Sequence, residues 1–116
     1  MQMLFYKNDE LIKNISITNY DELHYNITDD DVNMEIVIKP ELVITRENKE
    51  YYFKLDITNN TCIYKLKEYN LAYDIEILNK NYRENDQEII IEYQLNTDQD
   101  QNKIIIKKED SNEGTD

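Results

Sequence analysis

Apolar and polar side chains alternate one by one along most of this chain, and this alternation constrains the fold more than any other feature. Within residues 50–58, every second residue from Tyr51 to Ile57 is apolar, and segment 89–96 repeats the pattern. A period of two residues is typical of a β-strand with one buried and one solvated face, whereas an amphipathic helix needs apolar residues three and four positions apart. The sequence therefore predicts an all-β fold.

Shorter segments with the same alternation complete a series of roughly eight to ten short strands. Asn and Asp dominate the breaks between them, and because both tolerate a left-handed backbone they can replace glycine, of which the chain has one. The polar stretch 79–86 is interpreted as a wide loop or an irregular turn. The predicted strands are 3–7, 11–18, 23–28, 32–39, 42–46, 50–58, 61–67, 71–78, 89–96 and 103–108.

Short antiparallel strands with one apolar face form either a sandwich or a closed barrel. Even, hairpin-like spacing without a long crossover favours a single antiparallel meander that closes into a barrel. With 116 residues the chain has room for one domain. We therefore predict a single β-barrel domain over residues 1–108 and an acidic, disordered tail over residues 109–116.

The charge and the cysteine count exclude several classes of partner. A formal net charge of −12 repels nucleic-acid phosphates and anionic lipid headgroups, so we expect neither nucleic acid nor a membrane as a partner. Cys62 is the only cysteine, which rules out an internal disulfide and a cysteine-based metal cage. No apolar run is long enough for a membrane span or a signal peptide, and we expect a cytoplasmic protein, either monomeric or weakly self-associating.

Three segments carry a resemblance to a known family: "IKPELVITRENKEYYFKLD" (38–56), "CIYKLKEYNLAYDIEI" (62–77) and "IIIEYQLNTDQDQNKIIIKKE" (89–109). With its strands in this order, the chain resembles the YwiB-like domain of unknown function of Gram-positive bacteria, over residues 20–109. The resemblance implies a small calycin-like, lipocalin-shaped barrel. The chain departs from the family in two ways: it begins late, so that we expect one N-terminal strand to be short or absent, and it lacks the glycines expected at turns. It implies no activity and no site residues.

A calcium loop is one interpretation of the spacing near the C-terminus. Counting Asp98 as position one of an EF-hand loop, Asp100, Asn102 and Glu109 fall at ligand positions. Position six requires glycine, however, and Lys103 occupies it. The flanking segments also alternate as strands rather than helices, so two paired strands with a polar loop are favoured, and no metal site or cofactor is predicted.

No catalytic motif is present. His24 falls on the polar side of its strand, where Asp21 or Glu22 could be its partner, and a surface histidine is the plainer interpretation. Cys62 alternates with Tyr64 and Leu66, which indicates a small buried hydrophobe rather than a nucleophile. We predict no catalytic residue.

Tyrosines are the most informative residues for function. Five of them fall on the apolar sides of different strands, and in a closed barrel they would converge inside: Tyr25, Tyr51, Tyr64, Tyr73 and Tyr93. They would either complete a filled core or line an amphipathic cavity whose hydroxyls orient a ligand.

The leading hypothesis is a non-enzymatic binding module for a small apolar ligand or a protein partner. Two alternatives stay open. One is a structural protein that assembles through a strand edge left exposed by the late N-terminus. The other is an enzyme with a dispersed carboxylate or tyrosine site, which would place perturbed titratable groups in one pocket.

Overall fold

A computed structural model describes residues 1–17, 19–21 and 23–108, and in these ranges the chain forms β-strands joined by turns and short loops. The described ranges hold no helix that is long and apolar enough to cross a membrane. The strands are β1 (Gln2–Lys7), β2 (Glu10–Ser16), β3 (Asn19–Asp21), β4 (His24–Asp29), β5 (Val32–Val37), β6 (Val43–Glu47), β7 (Tyr51–Asp56), β8 (Thr61–Leu66), β9 (Leu71–Asp74), β10 (Ile77–Glu84), β11 (Glu88–Leu95) and β12 (Gln101–Lys107).

The strands form two antiparallel sheets. A five-stranded sheet has the order β10-β11-β12-β1-β2, and a seven-stranded sheet runs from β3 to β9 in sequence order. The predicted all-β, antiparallel fold is confirmed, but the strands form two sheets instead of a single meander, and within the described residues neither sheet closes on itself. The chain passes between the sheets after β2 and again after β9. The second crossing divides the predicted strand 71–78 between β9 and β10, whereas the predicted strand 11–18 overlaps β2 alone.

Two predictions about particular strands are wrong. Segment 79–86 is not a loop, because its first six residues belong to β10, which pairs with β11 along its length. This strand is exposed over nearly all its residues and therefore shows no apolar alternation. The N-terminal strand does not leave an open edge, since β1 pairs with β12 on one side and with β2 on the other.

The turns confirm the predicted substitution of Asn and Asp for glycine. Among the described residues, six non-glycine residues have a positive φ angle, and five of these are Asn or Asp. A left-handed backbone costs these two residue types less than most others because their short side chains bond locally. The six are Asn8, Asp9, Asp30, Asn60, Asn70 and Gln99.

The core lies between the two sheets and is packed at one end only. In one region of the core the side chains have 0% exposure, and we call this region the packed half: Ile36, Ile44, Leu55, Ile104 and Ile106. Further along the strands, the side chains that face the interior are only partly buried. We call this second region, formed by Phe5, Arg46, Tyr51, Phe53 and Tyr64, the open half.

Candidate ligand-binding cavity

A cavity of about 420 Å³ occupies the open half. Side chains of β1, β6, β7, β8, β11 and β12 form its wall, together with Ile75 and the loop that follows β11. Aromatic and aliphatic groups make up most of the lining: Phe5, Tyr51, Phe53, Tyr64, Ile75, Tyr93 and Leu95. Its size falls within the range of roughly 300–1,000 Å³ that is usual for small-molecule sites.

These side chains reach the cavity because successive residues of a strand point to opposite faces of the sheet. On β7, Tyr51 and Phe53 share the inward face with the buried Leu55. The register pairs Phe53 with Tyr64 of β8, which places both on the same side of the sheet. The rings of Tyr51 and Tyr64 stack, with centroids 5.7 Å apart and planes inclined by 23°. The sequence thus builds an aromatic wall directly above the packed half.

A second cavity, of about 240 Å³, adjoins the first and lies towards β2, β4 and β5. The two share Phe5, Lys7, Arg46 and Tyr93 as lining residues, so these four lie between them. An ion pair between Lys13 of β2 and Asp29 of β4 joins the two sheets beside the second cavity.

The cavity contains charged groups of both signs. Lys7 Nζ lies 3.5 Å from Asp100 Oδ2. Arg46 projects from β6 on the same face as Ile44, and no carboxylate of the described chain lies within 4.0 Å of its guanidinium. Asp98 lines the exposed rim, where its Oδ1 accepts a hydrogen bond from the backbone N–H of Asp100 at 3.1 Å.

Tyr93 is the most deeply buried titratable side chain of the wall, at 7% exposure. Burial raises the pKa of its phenol to about 12; the nearby Arg46 charge acts in the opposite direction, whereas Cys62 and Asp98 add to the increase. The phenol therefore stays protonated at neutral pH, as a hydrogen-bond donor and acceptor. A general base needs a pKa near neutrality, so this upward shift of the Tyr93 pKa is opposite to the shift that the role requires.

The five predicted tyrosines do not all converge. Tyr51, Tyr64 and Tyr93 line the cavity. Tyr25 lies in the packed half, 2% exposed and stacked on Tyr20 at 6.1 Å. Tyr73 pairs with Tyr64 in register but is 48% exposed, because β9 is the edge strand of its sheet and no further strand covers it there.

The loop between β11 and β12 has no arrangement suited to a metal ion. Asp100 Oδ1 accepts a hydrogen bond from Asn8 Nδ2 at 2.9 Å, and Asn102 Nδ2 donates to the carbonyl oxygen of Asp100 at 3.1 Å. Glu109 lies outside the described residues, as does the predicted tail 109–116. In the described ranges no group of three or more His, Cys, Asp and Glu side chains is placed to hold a metal.

His24 and Cys62 lie away from the cavity. His24 Nε2 is 2.8 Å from Glu35 Oε2, an ion-pair distance without hydrogen-bond geometry. Glu35, on the neighbouring strand β5, thus takes the place predicted for Asp21 or Glu22. Cys62 is 2% exposed, as predicted for a small buried hydrophobe, and burial raises the pKa of its thiol to about 11.

None of the polar residues of the wall other than the tyrosines was predicted from the sequence, although for Arg46 and Asn102 a signal was present. Arg46 stands at even spacing from Leu42 and Ile44, and Asn102 stands at even spacing from Ile104 and Ile106. Extending the inward series by one residue would have placed both side chains inside.

No protein-family model matches this chain, and neither a curated protein nor a solved structure matches it at a significant level. The resemblance to the YwiB-like domain stays a prediction.

Proposed function

We propose that this protein is a binding module that holds a small, mainly apolar molecule in the cavity of the open half. One observation carries the proposal: the same inward faces that pack solidly around Ile44 and Leu55 leave about 420 Å³ of space around Phe53 and Tyr64. Protein interiors are close-packed, and a void with an aromatic lining gains dispersion energy when an apolar ligand fills it. A binding function explains why the open half is not filled by larger side chains.

We also propose that the two sheets act as one barrel-like wall, in the manner of a calycin. Backbone hydrogen bonds of each sheet extend into the segments that cross between the sheets, and these bonds support the proposal. The N–H of Ile17 donates to the carbonyl of Met1 at 2.8 Å, and the N–H of Ile75 donates to the carbonyl of Cys62 at 2.8 Å. Within the second crossing, the carbonyl of Glu76 accepts a hydrogen bond from the N–H of Asn96 at 2.9 Å.

Binding is proposed in preference to catalysis because of the chemistry of the wall. Tyr93, its buried titratable group, has a pKa raised away from neutrality. The thiol of Cys62 is likewise protonated and lies in the core rather than at the cavity. The proposed location is the cytoplasm, where a free buried cysteine is common.

Titration with the neutral fluorophore N-phenyl-1-naphthylamine tests the proposed function. The chain has no tryptophan, so the probe can be excited beyond the tyrosine band. We expect saturable binding at one site per chain, with the blue-shifted emission of an apolar environment.

A blocking variant and a matched control locate the site. Ile75→Trp adds bulk to the cavity wall and should abolish binding, whereas Ile63→Trp adds the same side chain to an exposed position of β8 and should leave binding intact. Absence of saturable binding to the unmodified protein would overturn the proposal. Equal binding by the Ile75→Trp variant, shown to be folded by circular dichroism, would do the same.

A further inference from the structure

We propose that the ligand carries a carboxylate, and that Arg46 binds this group while the aromatic wall holds an apolar, ring-containing body. This inference rests on the proposed function and specifies the ligand class of the same cavity. It adds a charged group of the ligand to a cavity for which the sequence predicted only a small apolar ligand oriented by tyrosine hydroxyls.

Arg46 is the first observation. Its side chain is partly buried, lines both cavities, and forms no ion pair or side-chain hydrogen bond with any residue of the described ranges. The other arginine of the chain, Arg83, is bonded to Glu92 at 2.7 Å on the surface. Removing a guanidinium from water without an acceptor costs free energy, so an unpaired arginine in a cavity wall favours an anionic partner.

Tyr93 is the second observation. It is 93% buried, lines both cavities beside Arg46, and its hydroxyl has no hydrogen-bond partner among the residues that the structure describes. The hydroxyl is not one of the fully buried polar atoms that lack a partner, so it keeps accessible surface in a side chain that lines the cavity. It is therefore available to bond a ligand oxygen. A carboxylate has two oxygens, which suffice for the planar fork of Arg46 and for the hydroxyl of Tyr93.

The charge balance favours a carboxylate over a phosphate. Arg46 contributes a single positive charge, and Lys7 is already 3.5 Å from Asp100. Asp98 at the rim adds negative charge, in a protein whose net charge is −12. A phosphate monoester, with about −1.5 to −2 charges at neutral pH, would leave much of its charge uncompensated here. A monoanion matches the single guanidinium.

The aromatic lining indicates the body of the ligand. Four aromatic rings line the cavity: Phe5, Phe53 and the stacked pair Tyr51 and Tyr64. Aromatic side chains pack best against other rings in offset or edge-to-face arrangements. A compact aryl carboxylate therefore fits both the lining and the volume.

Four naphthalene compounds with the same ring test the inference: 2-naphthylacetate, its neutral amide, 2-naphthylethylammonium and 2-naphthyl phosphate. Their affinities are measured by competition with N-phenyl-1-naphthylamine. We expect the carboxylate to bind at least about tenfold more tightly than the amide, as a charge-assisted hydrogen bond provides. Long-range repulsion by the acidic surface works against this preference, so observing it would indicate a local contact.

Three variants assign the preference to Arg46. Arg46→Met should remove the roughly tenfold preference for the carboxylate while retaining the neutral probe, and Arg46→Lys should retain part of it. Arg83→Met changes the net charge by the same amount at a surface ion pair and should leave the preference unchanged. Retained binding of N-phenyl-1-naphthylamine shows that each variant is folded with an intact cavity.

The outcomes separate this inference from the proposed function. If the neutral probe binds but the amide or the phosphate equals or exceeds the carboxylate, the inference is overturned and the proposed function stands. A preference for the carboxylate that survives in Arg46→Met also overturns it. If neither the neutral probe nor any naphthalene compound binds, both proposals fail.

Discussion

Replacing Leu55 with alanine should destabilise the protein more than replacing Phe53 with alanine, although phenylalanine is the larger side chain. The two residues lie two positions apart on β7 and share its inward face. Leu55 has 0% exposure in the packed half, whereas Phe53 is partly buried and lines the cavity. The comparison tests whether the interior is packed at one end and hollow at the other.

The expected magnitudes follow from what each side chain contacts. Leu55→Ala removes three buried carbon atoms at about 0.8 kcal/mol each, and the hole left behind brings the loss of unfolding free energy to about 3 kcal/mol. A fully packed phenylalanine would cost about 3–5 kcal/mol. Because the ring of Phe53 faces existing empty space and is not fully buried, we expect a loss of only about 1–2 kcal/mol.

Urea unfolding followed by far-ultraviolet circular dichroism measures both losses. The slope of unfolding free energy against urea should be the same for the two variants, so that midpoints can be compared directly. Conservative replacements, Leu55→Val and Phe53→Leu, should show the same order with smaller losses. A greater loss for Phe53→Ala than for Leu55→Ala would refute the division into a packed half and an open half.

Two further predictions concern buried polar groups. Asp56 is 6% exposed; burial raises its pKa, but hydrogen bonds from Asn59 and the Lys54 and Lys80 charges outweigh this and hold the pKa below its ordinary value of 3.8. Its stabilising contribution is thus present above pH 3.8 and lost as the pH falls through the folded-state pKa. Asp56→Asn should lower the unfolding free energy by about 1–2 kcal/mol at pH 7 and by less at pH 3, and an equal loss at both would contradict this. The Cys62 thiol, with its pKa of about 11, should react with a disulfide reagent in urea but not in the native protein, and rapid native reaction would show that the core opens there.

The alternating segments were predictable because their strands bury one face. On β11, Ile89, Ile91, Tyr93 and Leu95 are all buried, as the period of two indicates. β10 was missed because it is an exposed edge strand whose hydrogen bonds to β11 specify it, and such pairing leaves no mark on the hydropathy of the strand itself.

The cavity was only half predictable for a similar reason. Alternation gave the inward orientation of Tyr51, Tyr64 and Tyr93, but it could not show that Tyr73 would be exposed. A side chain that faces inward is buried only where the opposite sheet covers that part of its strand. This coverage depends on two segments of the chain, so the sequence of one segment does not reveal it.

The amino-acid sequence by itself determined which face of most strands is apolar, where the chain turns, and that Asn and Asp replace glycine at those turns. These are local properties, set by the period of the strand and by the backbone preferences of single residues. Only the tertiary structure decided that the chain divides into two sheets, and that their shared interior is filled around Leu55 and hollow around Phe53. The distance between the sheets at each point sets these features, and it results from all the strands packing together.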